Sequence, residues 1–152
     1  MAEFRLRPRY RALALTAIGT GGAVGAVALA VLGGALLPLA TGAIGVALGA
    51  GYLASPMWRW TVVVDDSGFA LRARGAERFR VAWSDVHAVI ASPATKTCFV
   101  DGGEPGKSFV VPGDGAPAPY DIDRKAELYD AILARVAAAK VQTVATLEDA
   151  KR

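Results

Sequence analysis

The hydrophobic pattern changes character twice along the chain. From residue 12 to residue 58 there is no Asp, Glu, Lys or Arg, a run of 47 positions. A helix that crosses a bilayer takes about 20 apolar residues, so the run predicts two spans and a tight turn. Gly33-Gly34 breaks the first helix, and Pro38 is tolerated in the first turn of the second. We place the helices at 11–32 and 36–55, in a hairpin over 11–56. A cleaved leader is the lesser reading, because its apolar core runs to only about 15 residues.

From Trp60 the period becomes two. Trp60, Val62 and Val64 alternate with Thr61, Val63 and Asp65, and Asp65-Asp66-Ser67-Gly68 is a turn signal. Phe69, Leu71 and Ala73 form a second strand, Gly75-Ala76-Glu77 a second turn, and Phe79, Val81 and Trp83 a third strand. This is a meander with one apolar face. Shorter strands follow at Val86–Ile90, Lys96–Val100 and Ser108–Val111, then a Pro/Gly loop over 112–120. Asp121 or Asp123 caps a helix whose apolar stripe is Leu128, Ile132 and Val136. That helix is expected to run on through Ala137–Ala139 as an extension and tail over 139–152.

The spans are only moderately hydrophobic. The first carries eight Leu, Ile or Val residues, which favour insertion by roughly 2 to 5 kcal/mol. Packing as a pair is therefore expected. Gly21-x-x-x-Gly25 and Gly45-x-x-x-Gly49 each place two glycines on one helix face, where backbones approach closely. The favoured reading is self-packing of the hairpin; a homo-oligomer seam is the alternative.

Charge orients the chain. Arg5, Arg7, Arg9 and Arg11 precede the first helix against Glu3 alone, Arg59 follows the second, and the turn is uncharged. The positive-inside rule puts both ends and the β domain in the cytoplasm, with residues 1–10 as a basic flank at the membrane surface. Tyr10, Trp58 and Trp60 would sit at that interface. The overall +3 charge comes from this flank: residues 60–152 hold 12 basic and 13 acidic groups. Nucleic-acid binding is not expected of such a domain. The single cysteine, Cys98, excludes a disulfide scaffold, and with His87 as the one histidine it excludes a structural zinc site. No cofactor is expected.

Three strands, then Arg78-x-Arg80-Val81-x-Trp83-Ser84-Asp85-Val86, then further strands and a helix resemble the bacterial pleckstrin-homology-like (PH-like) domains. The resemblance covers residues 59–138 and rests on Trp83, Asp85 and Val86 together with element order. It implies a small bent barrel closed by a helix, on a membrane anchor. The family fold has seven strands, and six are visible here; the seventh is expected within 84–91 or in the Pro/Gly loop. Phosphoinositide-binding members carry cations around the first hairpin loop. Here that loop is Asp65-Asp66-Ser67, so phosphoinositide binding is not carried over.

The candidate chemistry is sparse. Arg72, Arg74, Arg78 and Arg80 are expected on one face of the second hairpin, as an anionic docking patch or as an ordinary solvated face. Ser84, Asp85 and His87 do not make a triad, since Ser84 and Asp85 are adjacent and point apart. The spans carry no ionisable residue, which argues against a conduction path. The expectation is a membrane-anchored α+β protein, non-catalytic, docking a protein or an acidic lipid headgroup at the cytoplasmic membrane. The alternative is an accessory or regulatory subunit of a larger membrane complex, such as a transporter or envelope machine.

Overall fold

The computed structural model describes residues 1–116 and 118–149, in two compact units. One is the segment Tyr10–Pro56. The other joins Met1–Arg9 to the chain from Met57 onward.

The Tyr10–Pro56 unit is an antiparallel pair of helices, α1 (Arg11–Ala30) and α2 (Leu36–Leu53). Both are long and apolar enough to cross a membrane. The turn uses the two glycines as the sequence requires: Gly33 and Gly34 adopt positive φ (60° and 82°), and the Gly34 amide donates to the Ala28 carbonyl to close α1. Thr16 and Thr41 satisfy their hydroxyls on the carbonyls of Ala12 and Leu37, one turn back. Only small residues are buried between the helices: Ala14, Gly21 and Ala28 on α1, Gly42 and Gly49 on α2. The outward faces are bare, with Leu29 64% and Leu37 80% exposed.

The second unit holds two sheets and one helix. Its strands are β1 (Ala2–Pro8), β2 (Trp60–Val64), β3 (Gly68–Ala73), β4 (Ala76–Ala82), β5 (Ala88–Ser92), β6 (Thr97–Asp101), β7 (Phe109–Val111), β8 (Tyr120–Ile122) and β9 (Val141–Thr143). The first sheet has the order β4-β3-β2-β1-β8 and the second β7-β6-β5-β9. Among the described residues no strand of one sheet pairs with the other, so the expected barrel is not closed. The helix α3 (Lys125–Leu133) packs on β2 of the first sheet and on β6 and β7 of the second. Its Leu128, Tyr129 and Ile132 enter the core formed by Phe4, Leu6, Val62, Val64, Phe69, Val81, Val89, Val100 and Ile122.

Three expectations change. Residues 1–10 are not a loose basic flank. Residues 2–8 are the fourth strand of the first sheet, hydrogen-bonded to β2 on one side and β8 on the other. Phe4 and Leu6 point into the core, both 2% exposed, while Glu3, Arg5 and Arg7 point out. The domain is therefore not 59–138 but 1–9 together with the chain from 57. The helix does not run on toward Leu147 either. It stops at Leu133, and after a 3₁₀ turn at Ala138–Lys140 the chain becomes β9, parallel to β5. Val141, Thr143 and Val144 are β-branched and prefer that pleated surface. The last three residues of the expected tail, 150–152, lie outside the described residues.

Candidate functional site

The β3–β4 hairpin turns on Arg74-Gly75, both at positive φ (53° and 85°). This is the two-residue geometry whose twist matches the strands, and it favours Gly or Asn at both positions. The turn predicted at Gly75-Ala76-Glu77 thus begins one residue earlier. Register shifts between Leu71 and Arg72: Arg72 faces Glu77, Leu71 faces Phe79, and Arg78 is the extra residue of a bulge.

The bulge decides where the four arginines go. Arg72 and Arg80 lie on the outer face of the first sheet, since Arg72 follows Ala70 by two and Arg80 is paired with Ala70. Arg74 sits at the hairpin tip. The Arg78 guanidinium stacks 5.3 Å from the Trp60 ring, on the side of Val62 and Val64. The four do not share one face.

Nor are they equally available. Arg80 donates to Asp65 Oδ2 and Ser67 Oγ, both at 2.9 Å, and to Glu77 Oε2 at 3.1 Å. Asp65 and then Glu77 hold its guanidinium in the charged form, and its pKa is raised. Asp65 Oδ1 also accepts from the Ser67 and Gly68 amides and the Ser67 hydroxyl. These bonds, Ser67 first and Arg80 next, hold the Asp65 carboxyl well below the usual carboxylate range. Arg80 is therefore a structural brace. Arg72 has a longer ion pair, 3.8 Å to Glu3. Arg74 is exposed and has no carboxylate partner among the described residues.

The Trp83 motif is structural too. Its indole N–H donates to the Asp65 carbonyl at 2.9 Å, and its ring lies 6.0 Å from that of Phe69. Ser84 donates to Asp85 at 2.9 Å, and Val86 is fully buried. Lys140 Nζ donates to the Ser84 and Val86 carbonyls. Residues 83–86 are thus the fastened link from the first sheet to the second. His87 is exposed beside Gly103 and makes no hydrogen bond to Ser84 or Asp85 among the described residues.

Register also sorts the charges of the first sheet by end. At one end lie Pro8 of β1 with Arg9 after it, Trp60 of β2 with Arg59 before it, and the Arg74-Gly75 turn next to Ala73. Here the chain passes into α1 and returns from α2. At the other end lies the Asp65-Asp66 turn; Asp121 and Asp123, in and after β8, lie opposite Arg7 and Arg5 in mid-sheet, and both pair with Arg7. The first end carries Arg9, Arg59, Arg72, Arg74 and Arg78. Of the carboxylates near it, Glu77 is bonded to Arg80, Asp121 and Asp123 pair with Arg7, Glu3 lies 3.8 Å from Arg72, and Asp114 sits on the loop whose Gly113 carbonyl accepts from Arg9. Arg59, absent from the expected patch, is exposed and has no carboxylate partner among the described residues.

In the helical unit the close approach falls on Gly21, Gly45 and Gly49 of the expected set, and on Gly42, which was not in it. A Cβ on Gly21 would lie 2.6 Å from the Gly42 carbonyl oxygen, and one on Gly42 would lie 2.6 Å from that of Gly21. A Cβ on Gly49 meets the Ala14 oxygen at 2.6 Å, and one on Gly45 the Ala17 oxygen at 3.2 Å. A Cβ on Gly25 meets nothing within 4 Å. Gly25 leaves the expected set as a donor of side-chain space, and Gly42 enters it.

Burial pushes the Cys98 thiol up to about 12 and the Tyr120 hydroxyl to about 12, and Tyr120 donates to the Val110 carbonyl. No group of three His, Cys, Asp or Glu able to hold a metal ion occurs among the described residues. Comparison of the chain with family models, with curated proteins and with solved structures finds no match.

Proposed function

We propose that this protein is a non-catalytic interaction module held in the cytoplasmic membrane by the α1–α2 hairpin, with the β domain docking a partner at the cytoplasmic face. One observation carries the reading. The hairpin is inserted between β1 and β2, which are hydrogen-bonded neighbours within one sheet. Two parts of one sheet occupy one compartment, so the segment between them crosses a bilayer an even number of times or not at all. Cleavage after α2 would remove β1 from between β2 and β8. The bare apolar faces of α1 and α2 favour crossing over remaining in water. Arg9, Arg11 and Arg59 flank the spans and favour the cytoplasm for the shared side.

The β domain is read as PH-like on its meander β2–β4, its Trp83-Ser84-Asp85-Val86 link and its single helix. Separate sheets and the parallel β9 are its departures from that pattern. The non-catalytic reading is supported by the bracing roles of Asp65, Arg80 and Trp83.

Cysteine accessibility tests the topology. Cys98 is buried and stays silent. In intact cells a membrane-impermeant thiol reagent is expected to label Leu36→Cys, at the turn end of α2. It is expected to label Asp66→Cys only after lysis. Labelling of Asp66→Cys in intact cells reverses the orientation, and protection of Leu36→Cys until lysis removes the crossing.

A further inference from the structure

We propose that the end of the first sheet where the chain enters and leaves the hairpin is a docking surface for anionic lipid headgroups of the same bilayer. The inference rests on the membrane reading above and adds the partner and the residues. Its cations are Arg59, Arg74 and Arg78, with Arg72 beside them.

The sheet is electrically polarised along its strands. Five arginines gather at the hairpin end, where Glu77 is already committed to Arg80. Asp65 and Asp66 lie at the opposite end, and Asp121 and Asp123, between the two ends, are paired with Arg7. Such a domain favours one orientation on a negative surface, cations inward and carboxylates away. Trp60, under the Arg78 guanidinium, adds an amphipathic ring at the same end.

Arg74 carries a second argument. It holds φ 53° at a position where Gly or Asn would sit without strain. A long cation there costs the turn stability and returns nothing to the fold, since it meets no carboxylate among the described residues. A ligand outside the chain accounts for it.

Chain connectivity favours lipid over an acidic protein. Arg59 directly precedes β2, and Tyr10 alone separates Arg9 from α1. With the hairpin inserted, these cations stay within a few residues of the headgroup layer at high effective concentration. An acidic protein would have to displace those headgroups.

The test uses the full chain reconstituted in vesicles of phosphatidylcholine alone or mixed with phosphatidylglycerol, with flotation after an alkaline wash as the check on anchoring. Ala76→Cys reports the hairpin end and Asp66→Cys the far end, both read by the labelling rate of a neutral maleimide. In phosphatidylglycerol vesicles Ala76→Cys is expected to label more slowly than in phosphatidylcholine, and Asp66→Cys equally in both. High salt should abolish the difference. Arg59→Gln and Arg74→Gln should each weaken docking about fivefold. Equal labelling of Ala76→Cys in both vesicles, with flotation intact, overturns the proposal and leaves the anchor standing. Shielding in native membranes but not in phosphatidylglycerol vesicles assigns the surface to an acidic protein instead. A chain that washes off both kinds of vesicle overturns the membrane reading, and this proposal with it.

Discussion

Asp65 fixes more of the first sheet than its turn position implies. Its carboxylate closes the Asp65–Gly68 turn and receives Arg80, and its carbonyl receives Trp83. The turn was legible from Asp65-Asp66-Ser67-Gly68, because short polar side chains bond their own backbone there. Arg80's part in it was not. The two residues meet only once β3 and β4 are in register, and the bulge at Arg78 decides which arginines reach that face. Charge at Asp65 makes stability depend on pH. Its folded pKa is depressed, so the stabilisation is complete above the unfolded value of about 3.9 and is lost as pH falls below it toward the folded value. Asp65→Asn keeps the shape and an acceptor oxygen but loses the charge. In urea unfolding of the detergent-solubilised chain, followed by tryptophan fluorescence, the variant should be less stable than the parent at neutral pH. The gap should close below about pH 4. A gap that stays constant with pH would assign the effect to hydrogen bonding rather than charge.

At the scale of elements, periodicity located what is periodic and local. The two apolar helices and the meander fall where the pattern puts them; the last helix is present but is not capped by Asp121 or Asp123, since Asp121 belongs to β8 and the helix begins after Arg124 with no side-chain cap. The failures share a cause. In β1 the alternation Phe4-Arg5-Leu6-Arg7 was present, but Arg5 and Arg7, with Arg9 and Arg11 after them, also satisfy the positive-inside pattern. Strand β9 has three residues and gains its identity from β5, about 50 positions away in sequence. The glycine seam failed in register only. An antiparallel hairpin pairs Gly21 with Gly42 and Ala14 with Gly49, so the turn position sets which glycines meet. That register gives a sharp contrast between two identical substitutions. Gly42→Ala drives a methyl toward the backbone oxygen of Gly21, which no rotamer relieves, and overpacking of this kind costs about 1 to 3 kcal/mol. Gly25→Ala enters open space and gains helix propensity of roughly 1 kcal/mol. Thermal unfolding of the helices in mild detergent should therefore fall for Gly42→Ala and hold or rise for Gly25→Ala. Equal shifts for both would mean that the helices do not pack along this seam.

The arrangement of the whole molecule is an insertion, and the register shows how cleanly it is made. The β1–β2 pairing runs to Arg5 and Thr61, and Pro56–Arg59 is a 3₁₀ turn leading into β2. The hairpin therefore leaves and rejoins the domain from two neighbouring strands, which lie about 5 Å apart, within a few residues of their last pair. The hairpin is thus expected to be dispensable for the domain's fold, and the nine residues before it are not. Replacing residues 10–56 by Asn-Gly joins β1 to β2 as a tight hairpin, and the product should be soluble, strand-rich and cooperative in unfolding. A chain that begins at Met57 has almost the same length but lacks β1. It loses Phe4 and Leu6 from the core, each contributing about 1.5 to 3 kcal/mol by burial, and exposes the facing edges of β2 and β8. Against a total stability of about 5 to 15 kcal/mol, that chain should be unfolded or aggregated. Circular dichroism and sedimentation of the two products separate the cases. If the chain from Met57 folds as well as the joined one, β1 is an accessory strand, and the argument that both ends of the protein share one side of the membrane loses its foundation. If only the joined chain folds, no leader can be cut from this protein without destroying the domain. An even number of crossings, or none, then follows from the sheet itself, independently of any charge rule.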